Sequence, residues 1–81
     1  MNKVIEARKA VYRRLYERRV DSPRLYFSKD EFRDVAAEPF LSAALDFGRE
    51  LGHLEEKRGH WRMTALGMIH AESEGFVEGE D

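Results

Sequence analysis

Three histidines, His53, His60 and His70, are the side chains best suited to chemistry in this chain of 81 residues. An imidazole can move a proton, orient a nucleophile or hold a metal. His53 and His60 flank a glycine in HLEEKRGHWRM, residues 53–63, with Glu55 between them. If this segment folds back on itself, His53, Glu55 and His60 share one face, a set able to ligate a metal. The plainer reading is three solvated strand residues, because their spacing matches no recognised ligand pattern. No serine has a His/Asp partner pattern, and neither G-x-G-x-x-G nor a phosphate-binding loop occurs. Glu55 and Glu56 are adjacent, so on a strand they point to opposite faces and cannot act as an acid–base pair. Cysteine is absent, which excludes disulfides and thiolate metal sites. These residues predict a non-catalytic protein with no cofactor and no metal.

The remaining composition bounds the partners. The chain is long enough for one small domain with a thin core. Its 42% hydrophobic residues suffice for folding, and no run is apolar enough to span a membrane. The expectation is a cytoplasmic protein. Net charge is −2, but it is segregated. Residues 1–20 carry seven Lys/Arg against two Glu, and residues 21–56 carry four Lys/Arg against nine Asp/Glu. Lys57, Arg58 and Arg62 follow, and residues 64–81 then hold five acids and no base.

Hydrophobic spacing predicts the elements that would position these charges. Residues 2–19 read as a helix, with Val4, Val11 and Leu15 on one face flanked by Ile5, Tyr12 and Tyr16. Arg8 lies near the middle of that face, either snorkelling from the core edge or held in a buried ion pair or a subunit interface. Asp21-Ser22-Pro23 ends the helix. Leu25-Tyr26-Phe27 reads as a short strand. Ser28 and Glu31 form a capping-box pattern for a short helix reaching about Ala37, burying Phe32, Val35 and Ala36. Pro39 suits the start of the next helix, which runs to Leu51 and ends at Gly52.

That third helix has an apolar stripe of Phe40, Leu41, Ala44, Leu45, Phe47, Gly48 and Leu51. Its opposite face carries Glu38, Ser42, Asp46 and Arg49, with Glu50 at the edge. Phe40 and Phe47 either pack in the core or, with Tyr12 or Tyr16, meet a second copy in a homodimer. Two short alternating runs around Gly59 predict a hairpin, through a two-residue or a four-residue loop. In both registers Leu54, Trp61 and Met63 face inward, and His53, Glu55, His60 and Arg62 face outward. Trp61 is either a core anchor or a stacking platform for a base or ligand. Thr64 caps a last helix whose Leu66, Ile69 and Met68 turn inward, and Gly75 ends it. One domain over residues 1–75 and an acidic, frayed tail over 76–81 complete the reading.

The order helix, strand, helix, helix, hairpin, helix is α+β and mostly α. Over residues 3–74 it resembles the winged helix-turn-helix class. ALDFGRELGHLEE resembles the end of a recognition helix entering the first wing strand, and KRG resembles a wing tip. WRMTALG is similar to the aromatic-x-Leu/Ile-Thr-x-x-Gly stretch that leaves the wing, with Met63 where leucine or isoleucine is usual. The resemblance implies a DNA-binding transcriptional regulator that takes double-stranded DNA. Ser42 and Arg49 would reach from the helix at 39–51, and Lys57, Arg58, His60 and Arg62 from the wing. Winged helices also serve as protein–protein modules. The acidic outer face of the 39–51 helix opposes a polyanion. It keeps open that second reading, in which the 30–56 surface or the basic first helix meets a protein partner.

Overall fold

The computed structural model describes residues 2–77, and their fold is α+β, mostly helical. Helix α1 spans Lys3–Asp21, β1 Phe27–Ser28, α2 Phe40–Leu51, β2 Leu54–Lys57, β3 His60–Met63 and α3 Ala65–Ser73. Asn2 starts α1, its side-chain oxygen accepting from the Val4 and Ile5 amides at 2.9 and 3.2 Å. The three strands form one antiparallel sheet in the order β1-β3-β2.

The core lies between the helices and the inner face of this sheet. It contains Val11, Tyr12 and Leu15 of α1, Phe32, Leu41, Ala44 and Leu45, then Leu54, Met63 and Ala71. The hairpin uses the shorter loop: Leu54 pairs with Met63, Glu56 with Trp61 and Lys57 with His60. Phe27 of β1 lies opposite Trp61. Trp61 is half-buried and packs against the core, the anchor role.

Several expectations are revised. The first strand is only Phe27–Ser28. The segment after it makes a 3₁₀ turn over Lys29–Phe32 and then bends, in place of a short helix to Ala37. The capping box does not form, because the Ser28 side chain caps nothing. Glu31 instead turns to α1, its carbonyl accepting from Arg14 Nη1 at 2.5 Å and its carboxylate lying 3.5 Å from Arg18. Phe32 is buried as expected, with Val35 and Ala36 packed beside it. In α1, Val4 is exposed, and the helix is buried through Ala7, Val11, Tyr12 and Leu15. Arg8 makes no ion pair among the described residues. Its guanidinium stacks 3.6 Å from the centre of the Phe47 ring, a cation–π contact.

The largest revision concerns α3. Leu66 and Ile69 are 54% and 61% exposed, and Gly67, Ala71 and half-buried Met68 face inward. The reason is close approach. The Gly67 backbone lies directly against the His53 carbonyl, and a Cβ there would collide with that oxygen and sit 2.9 Å from Met63 Cγ. This contact fixes the rotation of α3 about its axis and turns Leu66 and Ile69 outward. Thr64 holds the same junction, as expected of a cap. Its hydroxyl oxygen accepts from the Gly67 amide at 3.1 Å and donates to the Gly52 carbonyl at 2.6 Å. α3 ends at Ser73, and Gly75 follows with φ +75°. Phe76 packs back onto Tyr12, so the packed body reaches beyond Gly75. Residues 78–81 of the acidic tail lie outside the described residues.

Two glycine substitutions separate these constraints. Gly67→Ala must displace backbone, and is expected to cost at least about 3 kcal/mol, the upper end of ordinary overpacking. Gly59→Ala meets no atom within 4 Å but keeps a φ of +79°, and is expected to cost only about 1 kcal/mol. Urea unfolding of both variants checks the order, and a smaller loss for Gly67→Ala would contradict the close-approach account.

Candidate functional site

The tip of the hairpin carries two adjacent cations, Lys57 and Arg58, that pair with no acid among the described residues. Its turn, Arg58-Gly59, has positive φ at both residues, 53° and 79°, the geometry of a tight two-residue loop. The two hairpin acids are engaged within the molecule. Glu56 accepts from the Gly59 amide at 2.6 Å and so braces the turn. Glu55 accepts from Arg62 Nη2 at 2.6 Å and from the Tyr26 hydroxyl at 3.2 Å. The Arg62 hydrogen bond holds the Glu55 carboxyl below its ordinary range. Arg62 also donates to the Pro23 carbonyl at 3.0 Å, which fastens the loop before β1 to β3.

Arg62 is therefore half-buried and structural. Lys57, Arg58 and His60 are exposed and make no ion pair among the described residues. Lys57 Nζ lies 5.2 Å from the centre of the Tyr26 ring, and the Arg62 guanidinium carbon 5.3 Å from it. His60 sits 3.1 Å through Nδ1 from the Arg58 carbonyl. Tyr26 joins this face although its position in the sequence did not suggest it. The clue is parity: Phe27 faces the core opposite Trp61, so the residue before it points outward.

The α2 face is different. Ser42 is half-buried, and its hydroxyl accepts from Lys29 Nζ at 2.8 Å. Its amide donates to Glu38 Oε1 at 3.1 Å, so Glu38 serves as the N-terminal cap that Pro39 cannot supply. These bonds, those to Ser42 first and then the nearby Lys29, hold the Glu38 carboxyl below its ordinary range. Ser42 is thus committed inside the molecule. Arg49 is exposed near the end of α2, beside exposed Asp46 and Glu50. Phe40 and Phe47 are half-buried and Tyr12 fully buried.

The charge segregation of the sequence is partly cancelled in space. Arg14 pairs with Asp34 at 2.8 Å and Arg18 with Glu31 at 3.5 Å, while Arg33 pairs with Asp30 at 2.7 Å inside the acidic segment. The Arg14 hydrogen bond holds the Asp34 carboxyl low. Lys3, Arg8, Lys9 and Arg19 of the first helix, like Lys57 and Arg58 of the hairpin tip, pair with no acid among the described residues.

The metal reading of His53, Glu55 and His60 fails on position. His53 precedes β2 and is only 7% exposed, turned inward onto Tyr12. Among the described residues no three His, Cys, Asp or Glu side chains gather as a metal site. No helix among them is long and apolar enough to cross a membrane. No protein-family model, no curated protein and no solved structure matches this chain.

The committed bonds of Ser42 predict a folding role. Ser42→Ala is expected to cost about 1 kcal/mol in thermal or urea unfolding, since it removes the acceptor 2.8 Å from part-buried Lys29 Nζ and leaves it, among the described residues, only the Glu38 carboxylate at 3.4 Å. An unchanged midpoint would show that Lys29 finds solvent without loss.

Proposed function

We propose that residues 1–75 form a winged-helix module that binds double-stranded DNA without catalysis, as a transcriptional regulator does. The observation that carries this reading is the hairpin tip. Both of its acids are engaged internally, and Lys57 and Arg58 project without an ion pair among the described residues, with exposed His60 beside them. The element order and the β1-β3-β2 sheet are compatible with the layout that the sequence resembles. In this reading the hairpin grips phosphates, and Arg49 adds a contact from α2. Ser42 and Arg62 act as supports, because their polar atoms are already used. Asp46 and Glu50 limit how closely α2 approaches the duplex, so affinity rests on the backbone more than on base edges.

One observation favours a second reading, a protein-binding module. Leu51, Leu66 and Ile69 are all about half exposed or more. Leu66 Cδ2 lies 3.9 Å from where a Gly52 Cβ would be, so these side chains form one apolar patch beside α2.

Fluorescence anisotropy with a mixed-sequence duplex distinguishes the two. DNA binding through the hairpin predicts affinity that falls steeply with salt. Combining Lys57→Glu and Arg58→Glu is expected to abolish most binding and lower the salt slope by about 2. Absence of binding at low salt would overturn the DNA reading and leave the apolar patch as the functional surface.

A further inference from the structure

α3 is held to the rest of the molecule by very little aliphatic surface. Leu66 and Ile69 point outward, and Ala71 is its only fully buried hydrophobic side chain. Its side-chain anchors are the hydrogen bond that Tyr16 of α1 donates to exposed Glu72 at 2.5 Å and a stack of rings. The His70 ring lies on the His53 ring at 4.3 Å and 24° between planes. Tyr12 meets His53, His70 and Phe76 edge-on at 5.6, 5.8 and 5.6 Å. Phe76 closes the cluster against His70 at 5.7 Å. Four rings from α1, the α2–β2 junction, α3 and the segment after it thus form one cluster, in which Tyr12 and His53 are buried and His70 and Phe76 half-buried.

Its polar centre is the 2.6 Å hydrogen bond between the Tyr12 hydroxyl and His53 Nδ1. Burial pushes the Tyr12 phenol up to about 12, so it stays protonated and can donate to a neutral His53 that accepts at Nδ1. The groups facing His53 all resist its protonation or fail to aid it. α1 presents the Tyr12 donor, with Arg8 acting on Tyr12. α2 presents the Gly48 carbonyl, already occupied by the His53 amide at 2.8 Å. α3 presents the stacked His70. β3 and α3 meet at Thr64, whose amide takes the His53 carbonyl at 2.8 Å. No carboxylate among the described residues acts on the ring. Burial first, and His70 second, hold its affinity for a proton below the ordinary histidine range.

We propose that His53 is an acid-released latch: protonation of its ring frees α3 and the segment through Phe76 from α1 while α1, α2 and the hairpin stay packed. A proton on Nδ1 reverses this bond, the phenol oxygen then accepting, and leaves the phenol proton without an acceptor among the described residues. The stack then holds a largely buried cation with no counter-ion among the described residues, and separation of α3 lets water reach it. The sign follows from the lowered affinity. The unfolded or opened state takes up a proton near the ordinary histidine value, and the closed state only at lower pH. The closed arrangement is therefore fully stable above about pH 6.5 and loses stability as pH falls below it. The release is local because α3 contributes only Ala71 to the buried core, whereas α1 and α2 meet there through Val11, Leu15, Leu41, Ala44 and Leu45.

Amide hydrogen exchange of the whole chain, expressed as protection factors, tests this. Between pH 7.5 and 5.0 the amides of Met68–Ser73 are expected to lose protection at least tenfold, and those of Leu45–Leu51 less than threefold. His70→Phe keeps a stacked ring without a charge, and His53→Asn keeps an acceptor near the position of Nδ1. The double variant is expected to lose the pH dependence of α3. Equal losses in α2 and α3 of the unaltered protein, or no loss in α3, would overturn the latch whether or not the variants fold. A folded double variant that still loses α3 protection on acidification would do the same.

Discussion

The hydrogen bond from Tyr12 to His53 joins elements that otherwise meet through apolar contact and the Arg8–Phe47 cation–π contact. Tyr12 sits in the middle of α1, and His53 in the single turn between α2 and β2. The His53 backbone is equally committed, its amide on the Gly48 carbonyl and its carbonyl receiving the Thr64 amide. One residue therefore ends α2, sets the start of β2 and fixes where β3 passes into α3. Everything that depends on the direction of the hairpin depends on this turn. A buried hydrogen bond is worth little net when made and much more when broken, so such a node specifies an arrangement more than it adds stability.

The second constraint is steric. Gly48 and Gly67 are the two helical glycines in contact with this region. A Cβ on Gly48 would come within 2.6 Å of Leu54 Cγ and 3.1 Å of the Tyr12 hydroxyl, and one on Gly67 would strike the His53 carbonyl. Both helices are thus pressed against the same junction. The surface follows from this: with α3 pinned at Gly67, its two largest aliphatic side chains have no place in the core.

Where local chemistry decides the outcome, the sequence is a good guide. The α2 stripe apart from exposed Leu51, the left-handed Gly52 end, the Thr64 cap and the inward set Leu54, Trp61 and Met63 all follow from period and residue type, and all are present. Where tertiary contact decides, it is a poor one. His53 continues the alternation of the polar strand face by parity, yet it lies before the strand, where the Gly52 turn redirects it inward. Leu66 and Ile69 have core-forming side chains, but Gly67 chooses the buried face. Ser42 looks like a free hydroxyl on an outer helix face until Lys29, thirteen residues earlier, is placed beside it. Arg62 has the charge of a phosphate contact, and only the paths of Glu55 and Pro23 show that it is engaged.

Arg58 adopts a φ of 53°, a backbone region in which an L side chain with a β-carbon is strained and asparagine or glycine is at ease. A tip selected for thermal endurance alone would carry Asn-Gly. This chain instead keeps a long cationic side chain at a position where its own backbone disfavours one. The exposed arginine contacts no acid among the described residues that could repay that strain. The hairpin tip therefore has room for improvement as a fold element, and the direction of that improvement is the removal of its charge. Stability and charge pull against each other at this one residue.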